Sequence, residues 1–193
     1  MRLTLPAEDR ELLAGARAGD AAAFRALVER YQGVVAGVVI GMLGPGDDAD
    51  DVGQETFIRF HAALDRFRGD AQLGTYLRRI AMNLSLNALK RRRHSRLRLV
   101  SRDQSLAPLP EPPVEAHDAE SDERREMVRA AVARLDEKHR SVVVLRLLDG
   151  LSTNEAAELL KVPPGTVMSR LARAMDALER LLEPYVKGGS RES

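Results

Sequence analysis

No cysteine occurs in the 193 residues, so disulfides, thiolate catalysis and cysteine-ligated metals are excluded. Tryptophan is also absent, and aromatic residues make up only 4% of the chain against 44% hydrophobic residues overall. A chain poor in aromatics and rich in Leu, Ala, Arg and Glu favours an all-helical fold over a β-rich one. An excess of one charge is missing too, since 30 Lys and Arg face 29 Asp and Glu. Overall charge therefore does not announce nucleic acid, and the distribution has to be read instead.

Catalytic patterns are lacking as well. His61, His94, His117 and His139 are scattered and form no metal-spaced pair. Neither a phosphate-loop glycine pattern nor a nucleophile elbow occurs. Asp47, Asp48, Asp50 and Asp51 lack the alternate spacing and terminal glutamate of a calcium loop. A non-enzyme without metal or cofactor is expected. The opening residues, MRLTLPAEDRELL, carry no apolar signal core, which points to the cytoplasm. The longest apolar run, Val34 to Leu43, is about half of the roughly 20 residues that span a bilayer, so no membrane insertion is expected. Gly33, Gly37 and Gly41 recur in and beside it, at a cost of about 1 kcal/mol each relative to alanine. Close packing of one helix against its neighbours is the reading of that stripe.

What is present is helical periodicity. Asp9 to Ala18 forms a short helical segment ended by Gly19, after which Asp20 caps the next. Phe24, Leu27, Val28, Tyr31, Val35, Val38, Val39 and Met42 then recur at three- and four-residue steps. Gly44-Pro45-Gly46 breaks this helix, and the aspartates from Asp47 to Asp51 favour the dipole of a new one. Val52, Phe57, Phe60, Leu64 and Phe67 make its apolar stripe, with Asp51, Gln54, Glu55 and Ile58 on the opposite face.

A further helix is expected from about Leu73 to Arg93, with Leu77, Ile80, Ala81, Leu84 and Ala88 inward. Tyr76, Arg79, Asn83, Asn87, Lys90 and Arg91 share its remaining surface. No acidic residue stands between Asp70 and Asp103, while basic residues continue to Arg98. An aromatic, two amides and several cations on one face suit base stacking, base-edge hydrogen bonds and phosphate contacts. The plainer alternative is a solvated basic face near a helix C-terminus.

Between Val100 and Ser121 the composition turns acidic and proline-rich, with no periodicity, which reads as an extended linker. The expected layout is a helical domain over 1–98, a linker over 99–121, a second helical domain over 122–185 and a disordered tail over 186–193. In the second domain Met127, Val128, Ala131, Val132 and Leu135 form one stripe, and Val142 to Leu148 a second. The stretch STNEAAELLKVPPGTVMSRL then reads as two short helices joined tightly. Ser152 caps the first with Glu155 as capping-box partner, and Pro163-Pro164 launches the second. This is either a helix-turn-helix, with Thr166, Ser169, Arg170 and Arg173 outward, or an ordinary surface hairpin.

Four pieces, FRALVERYQGVV, DADDVGQETFIRFHAALDRFRGD, TYLRRIAMNLSLNALKRRRH and LSTNEAAELLKVPPGTVMSRLARA, stand in this order with an acidic linker between the third and fourth. Together they resemble the bacterial RNA polymerase sigma factors of the extracytoplasmic-function (ECF) group, over about Ala22 to Leu182. The resemblance implies a factor that binds core RNA polymerase and directs initiation at promoters. Asp51, Gln54, Glu55 and Ile58 would dock on the β′ clamp helices. Phe67, Tyr76, Asn83 and Asn87 would take −10 bases, beside Arg79, with Lys90, Arg91, Arg92 and Arg93 on phosphates. The terminal domain would sit on the β flap and read −35 DNA through Thr166, Ser169, Arg170 and Arg173. The resemblance also implies an anti-sigma factor as a partner. The competing reading is a stand-alone helix-turn-helix regulator of duplex DNA, which would need a ligand, receiver or dimerisation domain.

The chain departs from the family pattern in places. Gly53 replaces an aliphatic residue within a helix, Tyr76 a tryptophan, and Lys161 a glycine in the turn. Met168, Met175 and Asp176 stand where basic residues are frequent, and Ala172 where a bulkier or polar one is. About three positive charges are thereby missing from the −35 surface, which lowers the affinity and salt dependence expected there.

Overall fold

The computed structural model describes residues 6–67, 69, 72–100 and 119–188, with side chains described to residue 95 and again from 123 to 183 and at 185. Among these residues every regular element is helical. In order they are α1 (Ala7–Arg17), α2 (Ala21–Leu43), α3 (Asp47–Ala62), a 3₁₀ turn (Leu64–Arg66), α4 (Leu73–Val100), α5 (Ala119–Arg134), α6 (Glu137–Val143), a π turn (Val144–Leu148), α7 (Thr153–Leu160) and α8 (Pro164–Gly188).

Local chemistry sets most of these limits. The Asp20 carboxylate accepts the N–H groups of Ala22 and Ala23 and so starts α2. Gly44, at φ 78°, ends it. α4 runs seven residues past Arg93 because nothing before Pro108 breaks a helix. Helix α5 begins at Ala119 and α8 ends at Gly188, so both edges of the expected linker and the start of the expected tail are helical. The rest of those two segments, 101–118 and 189–193, lies outside the described residues.

The first domain wraps α1, α3 and α4 around α2. Leu27, Val35, Val38, Val39 and Met42 are buried in its centre together with Phe60, Leu73, Leu77, Ala81 and Met82. At 23 residues and mean hydropathy 1.4 over its most apolar window, α2 is long and apolar enough to cross a bilayer. The argument from the ten-residue run therefore does not hold. In the fold the helix packs against α1, α3 and α4, and also against α5, α6 and the π turn. Asp9 of α1 is buried at 1% exposure between the Arg30 guanidinium at 2.7 Å and the Tyr31 hydroxyl at 2.5 Å, which satisfies its charge and ties α1 to α2. Burial, then the hydrogen bond to Asp9, pushes the Tyr31 phenol above its ordinary pKa.

The second domain is not separate from the first. Val142, Val144, Leu145, Leu151, Ala156, Ala157, Leu159 and Val167 join the same buried cluster as the first domain's core. Val143 faces the other way, into a small core with Ala131, Val132, Leu135, Ala174 and Leu178. Ser141 to Leu145 is thus buried on all sides, because α2 lies on one flank and α8 on the other. Of the three glycines in α2, only Gly41 meets a neighbour: a β-carbon there would lie 2.9 and 3.0 Å from the two Val144 methyls, while Gly33 and Gly37 face open space.

Candidate nucleic-acid interface

The α4 surface is built on an aromatic support. Phe60, Phe67 and Tyr76 cluster with ring centroids 4.9 to 6.3 Å apart, and Phe24 stacks on Phe60 at 6.0 Å. Phe67 is only 6% exposed. Its ring packs between Phe60 and Tyr76, and its carbonyl accepts from Arg17. Tyr76 is half-buried and lies against it. Beyond Tyr76 the face opens, with Asn83, Asn87, Lys90 and Arg91 all exposed. Arg79 is half-buried, and its Nε is buried with no hydrogen-bond partner among the described residues.

One member of the basic run also has partners within the protein. Arg92 is committed within the protein, pairing with Asp48 at 2.5 Å and donating to the Leu43 carbonyl at 3.2 Å. It caps the C-terminus of α2, where a cation is favoured. Arg78, which the sequence did not single out, donates through Nε and Nη2 to the Asp149 carboxylate across 71 residues. Nothing local could have revealed that pair.

On α3, Asp51 and Gln54 are exposed and Ile58 is 62% exposed. Glu55 bonds Arg59 at 2.7 Å on the same helix. An exposed isoleucine thus stands among polar groups on a helix held from behind by Val52, Thr56 and Phe60.

The terminal pair of helices forms as expected. Ser152 and Glu155 make both halves of a capping box at the start of α7. Their hydrogen bonds, led by the Ser152 side chain, hold the Glu155 carboxylate below its ordinary pKa. Val167 is fully buried against α7. Lys161 turns the chain between the helices in the left-handed region, at φ 55° and ψ 46°. On the outer side of α8, Ser169 and Arg173 are exposed and Thr166 and Arg170 half-buried. The Ser169 hydroxyl donates to the Thr166 carbonyl at 3.1 Å. Met168, 55% exposed, sits with its sulfur 3.6 Å from the Thr153 hydroxyl, and Met175, 47% exposed, lies two turns further on.

Comparison with known proteins agrees with this layout. Residues 27–95 match the family Sigma-70 region 2, and residues 125–178 match Sigma-70, region 4. The ECF RNA polymerase sigma-E factor of Escherichia coli (strain K12) is 37% identical over 185 residues, covering 93% of this chain and 96% of the relative. The RNA polymerase sigma-H factor of Pseudomonas aeruginosa is 34% identical over 199 residues, with the same coverage. Among solved structures, CnrH in complex with the cytosolic domain of CnrY aligns at a TM-score of 0.65 and 30% identity, over 92% of this chain and 98% of CnrH. The sigma factor RpoE from Bartonella quintana, solved with the anti-sigma factor NepR, has the same TM-score at 21% identity, over 83% of this chain and 96% of RpoE, a likeness of fold.

Two helical domains carrying these matches in this order define a transcription initiation factor rather than a stand-alone regulator. The chain belongs to the sigma-70 family of bacterial RNA polymerase sigma factors, in its ECF group. Such a factor binds core RNA polymerase and directs initiation through −10 and −35 contacts.

Proposed function

We propose that the division of labour within this sigma factor follows its three exposed faces. Asp51, Gln54, Glu55 and Ile58 on α3 dock on the β′ clamp helices, where an apolar contact ringed by polar groups gives a complementary interface. Tyr76, Arg79, Asn83, Asn87, Lys90 and Arg91 on α4 take the −10 element, with the amides on base edges and the cations on phosphates. Phe67 acts through Tyr76, by fixing its ring. Thr166, Ser169, Arg170 and Arg173 on α8 read the −35 element while the second domain rests on the β flap. The domain limits proposed are those of the helices, with α1 to α4 as one unit and α5 to α8 as the other.

The observation that carries this reading is the α4 face: two asparagines and two cations stand exposed on a helix whose back is locked by an aromatic cluster. Its site of action is the cytoplasm, with polymerase and chromosome. An anti-sigma partner is proposed on family grounds, since RpoE was solved with one. The test is transcription from a matched promoter with core polymerase, with and without this protein. Core-dependent initiation that falls on substituting Asn83 and Asn87 supports the assignment. Initiation insensitive to both, but lost on substituting the far side of α4, overturns it.

A further inference from the structure

A cavity of about 560 Å³ opens between α2 and α5. That volume falls within the range of about 300–1,000 Å³ typical of small-molecule sites. Its walls are apolar, with Ile40 from α2, Val128 from α5 and Leu148 from the π turn. These side chains are 37%, 42% and 56% exposed. Large apolar groups left in water thus gather around one hollow instead of standing singly over the surface. Gly37 belongs to the α2 wall, and a β-carbon there would meet nothing within 4 Å. No close helix contact therefore offsets its cost of about 1 kcal/mol to α2, and its effect is to leave the hollow open.

The charges at this cavity are of one sign. Among the described residues Arg124, Arg125 and Arg129 line it, and no acidic residue does. Arg129 also meets Glu126 at 3.5 Å, but both side chains are about half exposed and such a pair contributes little. Arg124 and Arg125 have partners of their own in the protein. A guanidinium carries several donors, so it can hold one partner and still receive an anion. None of the residues assigned to polymerase or promoter contacts lines the cavity.

Size separates the kinds of guest. A helix about 10 Å across displaces roughly 400 Å³ per turn, so the cavity encloses little more than one turn of an amphipathic helix. A nucleic-acid strand brings phosphates to the arginines but presents a charged backbone to apolar walls. One alkyl chain with an anionic head satisfies both parts, with methylenes on the walls and the head on the guanidiniums.

We propose that the α2–α5 cavity binds a single-chain anionic amphiphile, a fatty-acid carboxylate, whose chain lies along Gly37, Ile40, Val128 and Leu148 and whose head pairs with the arginine rim. Such a guest touches both α2 and α5, so its binding also raises the thermal stability of the chain.

The test is calorimetric titration of the full chain, without polymerase, with octanoate, decanoate and dodecanoate below their micellar concentrations. One molecule should bind per chain, and each added methylene should tighten binding about fourfold until the cavity is filled. Dodecyltrimethylammonium, with the same chain and the opposite head, should bind at least about tenfold more weakly than dodecanoate. Arg125→Glu together with Arg129→Glu should reverse that order. Gly37→Leu puts a better helix former into α2 and fills the hollow. It should fold at least as stably as wild type and weaken dodecanoate binding at least about tenfold.

Uptake of many molecules per chain, affinity that ignores chain length or head-group charge, or dodecanoate binding untouched by Gly37→Leu would each overturn the proposal. So would an acidic helical peptide that binds there while no fatty acid does. Polymerase and promoter are absent from the assay, so its outcome is independent of the roles assigned to α3, α4 and α8.

Discussion

The two helices assigned to promoter DNA rest on different supports. Through its own Tyr76, α4 lies on Phe60 and Phe67, with Phe24 behind them, and all four phenylalanines of the chain fall in its domain. α8 leans on α7 through Ala156, Ala157 and Val167, with no aromatic ring between them. Their outer faces diverge in the same sense. The first shows amides and cations with no acid for a long span, the second Met168, Met175 and Asp176 beside its arginines. Melted bases must be held in register by rigid groups, whereas a duplex element can be held by position as well as by charge. The firmer support lies under the helix proposed to meet single strands.

The largest effect should come from removing that support. Phe67→Ala should destabilise the first domain by about 3–5 kcal/mol, read as a shift in denaturant midpoint, with promoter opening falling in step. A variant of unchanged stability that fails only at strand opening would return Phe67 to direct base capture and erase the contrast in support. Next in size, Asn83→Ala and Asn87→Ala should each cost about 1–3 kcal/mol of discrimination at the −10 element with core affinity unchanged. Equal losses from Arg170→Ala and Arg173→Ala at the −35 element would show that the two hands grip alike.

Met168→Arg tests the weaker hand from the other side. It should tighten upstream binding and steepen the dependence of log affinity on log salt by about 0.9, the increment for one added phosphate contact. A slope that does not move would mean that the Met168 flank, beside Thr153, points away from the backbone of the duplex.

Local chemistry was readable in advance; contacts across the chain were not. The Ser152–Glu155 box, the Asp20 cap and the α7 limits all appeared where residues within four positions of each other dictate them. The exposed faces of α3 and α4 followed from helical period alone. Phe67 did not, because an aromatic beside a loop has the same sequence signature whether it faces base or core. Arg92 and Arg78 were hidden for a related reason. Their partners, Asp48 and Asp149, lie 44 and 71 residues away, and no period links them. The buried Asp9 escaped notice likewise, since its partners are on the next helix. The length of α2 misled because glycines and charges interrupt its apolar run without ending the helix.

The turn of the terminal domain offers a smaller test. Lys161 sits in the left-handed region, which costs a side-chain-bearing residue about 1 kcal/mol, partly offset by the extra freedom that glycine adds to the unfolded chain. Lys161→Gly should therefore stabilise by less than about 1 kcal/mol and raise Tm by no more than about 4 °C, with α4 contacts untouched. A destabilised variant would mean that the Lys161 side chain holds the turn.

The smallest effect is titratable. The Ser152 side chain and backbone hold the folded carboxylate of Glu155 below its ordinary value of 4.5. Its contribution is therefore complete above that ordinary value and is lost as pH falls through the lower, folded one. The side chain is exposed, so water screens most of the gain. Glu155→Ala should lower thermal stability slightly at neutral pH, and its gap from wild type should close once the pH is well below 4.5. A gap that persists unchanged into acid would show that the carboxyl serves the cap by shape and neutral hydrogen bonding alone. In that case the cap that starts α7 would owe nothing to charge, and the weakness of the second hand would lie wholly in Met168, Met175 and Asp176.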